Sequence, residues 1–192
     1  MSEEYCPISV LVRNEPGVLA RVAGLFARRG FNINSLAVGE TEDPQVSRIT
    51  VVVKGDPHTV DQAVKQLRRL VSVIKVRDQS TMPRVERGLA LIKVRATPAQ
   101  RGEIMQLAGV FRANVDHVDG HCMVIEVSGN RNKIEAMIDM LKPYGIMELA
   151  RTGQIVLARV RSIHQGMEGA GSAYVPDPDE DPQATYNVYQ QS

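Results

Sequence analysis

At 192 residues, with 43% hydrophobic and 23% charged side chains, the chain has the composition of an ordinary folded protein and the length for one large domain or two small ones. Two cysteines, Cys6 and Cys122, give no disulfide framework and fit a reducing compartment, and no apolar run approaches the ~20 residues of a membrane span. The net charge of +1 conceals an asymmetry: five acids and no Lys or Arg follow Gly166, leaving 23 bases against 17 acids in the body, too diffuse an excess to argue for nucleic acid. The N-terminus, "MSEEYCPISV", is acidic and lacks the charged-then-apolar pattern of a signal peptide. A soluble cytoplasmic protein without a membrane anchor is expected.

In chain order, "YCPISVLVR" alternates with Ile8, Val10 and Val12 on one face, which predicts a strand. Val18, Leu19, Val22, Leu25 and Phe26 then recur at helical spacing, with Arg21, Arg28 and Arg29 opposite and Gly30 where a helix C-terminus favours it. "NINSLAVGE" and "VSRITVVVKGD" predict two strands around the loop "TEDPQ". Asp56-Pro57 supplies a cap and first helical turn, Val60, Val64, Leu67 and Val71 continue one helix face, and "VSVIKVRD" closes the unit as a strand. The order β-α-β-β-α-β is the ferredoxin-like plan, with both helices on one sheet face and the other face solvated or covered by a neighbour.

The pattern then recurs. "RGLALIKVRA" predicts a strand, Thr97-Pro98 a helix cap, and Ile104, Leu107, Ala108 and Phe111 one helical stripe. Val115 to Val127 reads as two strands about the turn signal Asp119-Gly120. Asn130 opens a helix with Ile134, Met137, Ile138 and Leu141 inward, stopped by Pro143, and "TGQIVLARV" is taken as the last strand. The fold class is therefore α+β: two ferredoxin-like βαββαβ units, residues 1–80 and 81–165, joined where "QSTMPRVER" loses periodicity. Residues 166–192, rich in Gly, Pro and acid and holding three of the five tyrosines, predict a disordered acidic tail.

The first strand-to-helix corner, "RNEPGVLARVAGLFARRGFNINSL", carries the main functional signal. A helix beginning at Pro16-Gly17 presents free backbone N–H groups and a positive dipole end, which suit a carboxylate. Gly17 has no Cβ and admits a ligand close to the backbone. Asn14 and Asn32 each offer an amide oxygen and an NH2 for an ammonium or a carboxylate, and Leu19 and Ile33 supply apolar walls. Converging, these groups match a free aliphatic α-amino acid. The same spacing also serves a plain structural turn with asparagine caps. In the second unit Ala96-Thr97-Pro98-Ala99 stands in place of Asn14-Glu15-Pro16-Gly17, so that corner is not built for the same ligand.

The residues quoted for the first unit closely resemble the ACT domain that opens the small regulatory subunits of acetolactate (acetohydroxyacid) synthase. The similarity is dense over residues 7 to 78 and continues through "VERGLALIKVRA" and "ARTGQIVLARV", covering about residues 7 to 161. The resemblance implies a non-catalytic subunit that forms a homodimer through its ACT domains and activates a large catalytic subunit. It also implies feedback inhibition by valine or another branched-chain amino acid at the ACT dimer interface. The positions matching the family's effector contacts are Asn14, Gly17 and Asn32, with Leu19 and Ile33 as apolar neighbours. No cofactor is implied in this chain; thiamine diphosphate, Mg and FAD are implied in the large subunit, which condenses two 2-oxo acids towards valine, leucine and isoleucine.

Three rivals are weaker. Asp116, His117, Asp119, His121 and Cys122 cluster in sequence but lack the repeated spacing of a zinc site and read as turn polarity. An RNA-recognition module shares the topology but needs aromatics on its central strands, and "VSRITVVVKGD" has none. A free-standing amino-acid sensor acting on a different partner shares the corner and lacks only the synthase.

Overall fold

The computed structural model describes residues 4–159. In the first unit β1 (Glu4–Arg13) leads to α1 (Val18–Arg29), β2 (Ile33–Glu40), β3 (Val46–Gly55), α2 (Pro57–Leu67) and β4 (Val73–Asp78). The antiparallel sheet runs β2-β3-β1-β4. α1 forms because Val18, Val22, Leu25 and Phe26 fall on one buried stripe, and it stops at Gly30, whose φ of 69° is a left-handed cap. Arg28 and Arg29 sit in its last turn, where the helix dipole favours positive charge. α2 starts as its sequence predicts, the Asp56 carboxylate accepting from the Thr59 N–H at 2.7 Å. It ends earlier than predicted. Leu67 closes the stripe, and Val71, expected inward on the same face, is 90% exposed in the turn before β4.

The second unit comprises β5 (Arg84–Arg95), α3 (Arg101–Val110), β6 (Asn114–Val118), β7 (Cys122–Gly129), α4 (Arg131–Leu141), β8 (Ile146–Arg151) and β9 (Ile155–Ala158). Its sheet runs β6-β7-β5-β8. Each unit has its own core. The first gathers Ile8, Val10, Ile49, Val51, Phe26 and Leu67; the second gathers Ile92, Ile125, Ile104, Met137 and Leu141. The two ferredoxin-like units are thus present as expected.

Three local expectations need correction. The strand that completes the second unit is β8, not "TGQIVLARV". β8 is an edge strand with five of its six residues exposed, so burial imposes no clean alternation on its sequence. The segment 84–87, where periodicity was expected to lapse, is already strand: it pairs with β9, Arg84 opposite Ala158 and Arg87 opposite Ile155. α3 begins at Arg101 rather than directly after Thr97-Pro98. There the Gln100 side chain reaches back to accept from the Thr97 N–H and hydroxyl, at 3.2 and 2.9 Å.

The β5–β9 ribbon answers what covers the far face of the first sheet. Pro7, Ser9, Thr50 and Val52 point away from α1 and α2, yet all are buried. Ile155, Val156 and Leu157 of β9 share a cleft with Ala37, Gly39, Arg48 and Thr50 on that face, and Val156 is itself buried. The neighbour is part of the same chain. The tail expected to be disordered lies outside the described residues.

Candidate functional site

The corner after β1 is built by a glycine in a conformation that other residues resist. Gly17 has φ +81° and ψ 0°, the left-handed region, and no side chain caps α1. A Cβ there would meet nothing nearer than an Arg21 guanidinium nitrogen at 3.9 Å. The corner is therefore open to a ligand, and its first-turn amides are not consumed by a capping side chain.

Arg21 is exposed on the side of α1 away from the apolar stripe, as its spacing predicts. Its guanidinium folds back along the surface to the corner: one nitrogen donates to the Ser72 hydroxyl at 2.7 Å, and the other lies beside Gly17 and the Pro16 carbonyl. Its positive charge reinforces the preference of the helix start for an anion. The available signal was its position, one helical turn beyond Gly17 on the same side.

Asn14 is exposed and anchored to the β2–β3 hairpin. Its Nδ2 donates to the Pro44 carbonyl at 2.9 Å and to the Glu40 carboxylate at 3.3 Å. Both bonds spend the amide nitrogen, which leaves the carbonyl Oδ1 for an external donor. Leu19, in the first turn of α1, is 42% exposed. Ile33 is half-buried and packs against the first core, so only part of it faces outward.

Within one chain Asn14 and Asn32 do not converge. Ile33 lies opposite Val53, which lies opposite Cys6, whereas Arg13 lies opposite Val46 at the other end of β1. Seven residue steps at ~3.3 Å separate the two asparagines by roughly 20 Å. Asn14, Gly17 and Leu19 form one half of the candidate site, and Asn32 with Ile33 forms another.

The polar cluster of the second unit has a structural occupation. Asp119 Oδ1 accepts from the His121 and Cys122 amides, both at 2.7 Å, and its other oxygen accepts from the Cys122 thiol at 3.1 Å. The His121 amide, then the thiol and the Cys122 amide, hold the Asp119 carboxyl well below the usual range, while the bond to Asp119 pushes the Cys122 thiol up. Among the described residues no group of three or more His, Cys, Asp and Glu could hold a metal ion, and no helix is long and apolar enough to cross a membrane.

Because the Asp119 carboxyl is depressed in the folded state, its contribution to stability is present above its ordinary value of 3.8 and is lost as pH falls below it. Asp119→Ala is therefore expected to speed amide exchange in the β6–β7 hairpin and lower the melting temperature at neutral pH. That deficit should shrink when melting is repeated below pH ~3.8. A deficit that does not depend on pH would show that the ionised carboxylate is not what closes the turn.

Residues 8–75 match the family described as the AHAS small subunit-like ACT domain, and residues 87–160 match the family described as the small subunit of acetolactate synthase. A probable acetolactate synthase small subunit of Archaeoglobus fulgidus is 53% identical over 152 residues, covering 79% of this chain and 95% of that protein. An acetolactate synthase small subunit of Mycobacterium bovis is 46% identical over 173 residues, covering 90% and 99%. The crystal structure of the acetolactate synthase small subunit of Thermotoga maritima superposes with a TM-score of 0.74 at 45% identity, covering 81% of this chain and 98% of that one.

Proposed function

The chain belongs to the family of acetolactate synthase small subunits, and on that premise we propose that it activates a large catalytic subunit and makes it sensitive to feedback by valine. The observation that carries this reading is similarity along nearly the whole length of relatives bearing that name, 95% and 99% in the two described above. The chain itself supplies no catalytic group in this reading. Thiamine diphosphate, Mg and FAD belong to the large subunit, and the pathway served is that of the branched-chain amino acids.

The effector binds between two copies of the first unit. A two-fold pairing sets the Asn14–Gly17 corner of one copy against Asn32 of the other, which resolves the ~20 Å separation within each chain and creates two equivalent sites. Three features support it. Among the described residues β2 pairs with another strand on one side only, so its outer edge has no strand partner. Val38 on that strand is 47% exposed, as is much of Leu19 on the neighbouring helix. Gly17, the uncapped α1 start and Arg21 together form a receptor for a carboxylate, while Asn14 Oδ1 suits the ammonium. A buried branched aliphatic side chain adds about 1.5–3 kcal/mol.

Inhibition requires that valine bind two arrangements of the complex unequally; a coupling of ~1–3 kcal/mol corresponds to a ~5–150-fold difference in affinity. The direct test is synthase activity of the large subunit, with and without this chain, across a valine titration. Activity should rise on adding the chain, and valine should lower it only when the chain is present. Unchanged activity on adding the chain, or no valine response, overturns the reading.

A further inference from the structure

β2 carries an irregularity immediately after its first residue, Ile33, which follows Asn32 in the candidate effector site. Ile33 pairs with Val53 and Ser35 with Val52, so Asn34 is the extra residue of a β-bulge. A bulge interrupts the ladder and turns its extra side chain out of the regular alternation. Here the Asn34 side chain leaves its own unit: its Oδ1 accepts from Arg131, the first residue of α4, at 2.7 Å.

Arg131 joins the two units by more than this bond. Its guanidinium carbon lies 3.6 Å from the centre of the Tyr5 ring on β1. On the other side its second nitrogen is 3.8 Å from Glu135, whose carboxylate also accepts from Arg151 at 2.9 Å. Just beyond the bulge, the Gln154 N–H donates to the Ser35 hydroxyl at 2.9 Å. A cleft of about 330 Å³ lined by Asn34, Arg131, Arg151 and Gln154 borders these contacts, so the two sides have space in which to shift.

We propose that Arg131, gripping Tyr5 and the bulge residue Asn34, is the positioning residue that transmits effector occupancy at Asn32–Ile33 to the second unit. This rests on the effector reading of that site. Ligand held by Asn32 restrains the chain two residues before Asn34. Asn34 has no partner in the β2–β3 ladder, so displacement there moves the Arg131 contact, and α4 with it, before it disturbs the regular ladder beyond Ser35. A salt bridge of flexible chains would transmit such a shift poorly; a planar guanidinium stacked on a ring and bonded to the short side chain of the bulge residue is directionally fixed.

The test uses full-length chain reconstituted with the large subunit, alongside calorimetric valine binding to the small subunit alone. Arg131→Ala should bind valine within about twofold of wild type, yet its half-inhibitory valine concentration should rise at least about fivefold, with activity normalised to the valine-free value. Asn34→Ala, an exposed substitution that removes one bond only, should shift inhibition in the same direction and guards against misfolding of the first variant. If both variants bind valine and are inhibited like wild type, the relay is wrong and the effector reading stands. If either loses valine binding, the contact serves the binding site itself and the relay is overturned. If wild type binds no branched-chain amino acid, the effector reading fails and takes the relay with it.

Discussion

Gly17→Asp is expected to abolish valine inhibition while leaving activation of the large subunit in place. The glycine sits at φ +81°, where a non-glycine residue is strained by about 1–2 kcal/mol, although Asp tolerates the region better than most. A carboxylate at the start of α1 recovers about 0.3–1 kcal/mol from the helix dipole, so the fold should survive. The space is there, since a Cβ would lie 3.9 Å from the nearest atom, an Arg21 nitrogen that attracts the new charge. The valine carboxylate then meets an occupied site and a like charge. Each lost charge-assisted hydrogen bond is worth about 1.5–3 kcal/mol, and losing two raises the half-inhibitory concentration at least ~100-fold. A Gly17→Asp protein with wild-type valine binding by calorimetry would contradict the site. Gly17→Asn carries comparable backbone strain without the charge, and should weaken inhibition less.

Gly153→Ala is expected to part the two units without unfolding either. Its backbone conformation is unexceptional, and the constraint is proximity. An added Cβ would lie 2.2 Å from the Leu36 carbonyl oxygen, 2.5 Å from its carbon and 2.8 Å from the Ala37 nitrogen. These are backbone atoms of β2, which cannot rotate away as a side chain would. Overpacking of this kind costs about 1–3 kcal/mol, and the Gln154–Ser35 hydrogen bond next to it is lost as well. Neither core includes Gly153, so each unit should retain its own packing. Scanning calorimetry should resolve two transitions, with faster hydrogen exchange at residues 34–37 and 154–157. A single transition and unchanged exchange would show that this contact does not hold the units together.

The two substitutions separate roles that one assay would merge. Gly17→Asp removes effector binding and leaves the contact between units, whereas Gly153→Ala leaves the effector corner and loosens that contact. If valine still binds Gly153→Ala but inhibits it weakly, inhibition depends on the second unit following the first.

Much of this molecule was legible in one dimension because the signals concerned are short-range. Val18, Val22, Leu25 and Phe26 repeat at the helical period whatever surrounds them, and Asp56 and Asn130 cap their helices through bonds only three residues long. Gly17 at the corner and Gly30 at the helix end follow from the same local sterics. Tertiary structure decided whatever depends on which strand meets which. "TGQIVLARV" alternates better than β8, yet β8 takes the sheet edge because an exposed edge needs no alternation, and the better-patterned segment instead buries Val156 over the first unit. Asn14 and Asn32 are 18 positions apart in sequence but stand at opposite ends of one sheet, because β-pairing register is set by contacts between distant segments. The grip of Arg131 on Tyr5 and Asn34 spans more than 90 residues of chain, and no local pattern announces it. Periodicity and capping are properties of a few neighbouring residues; register, covered faces and contacts between units are properties of the packed whole.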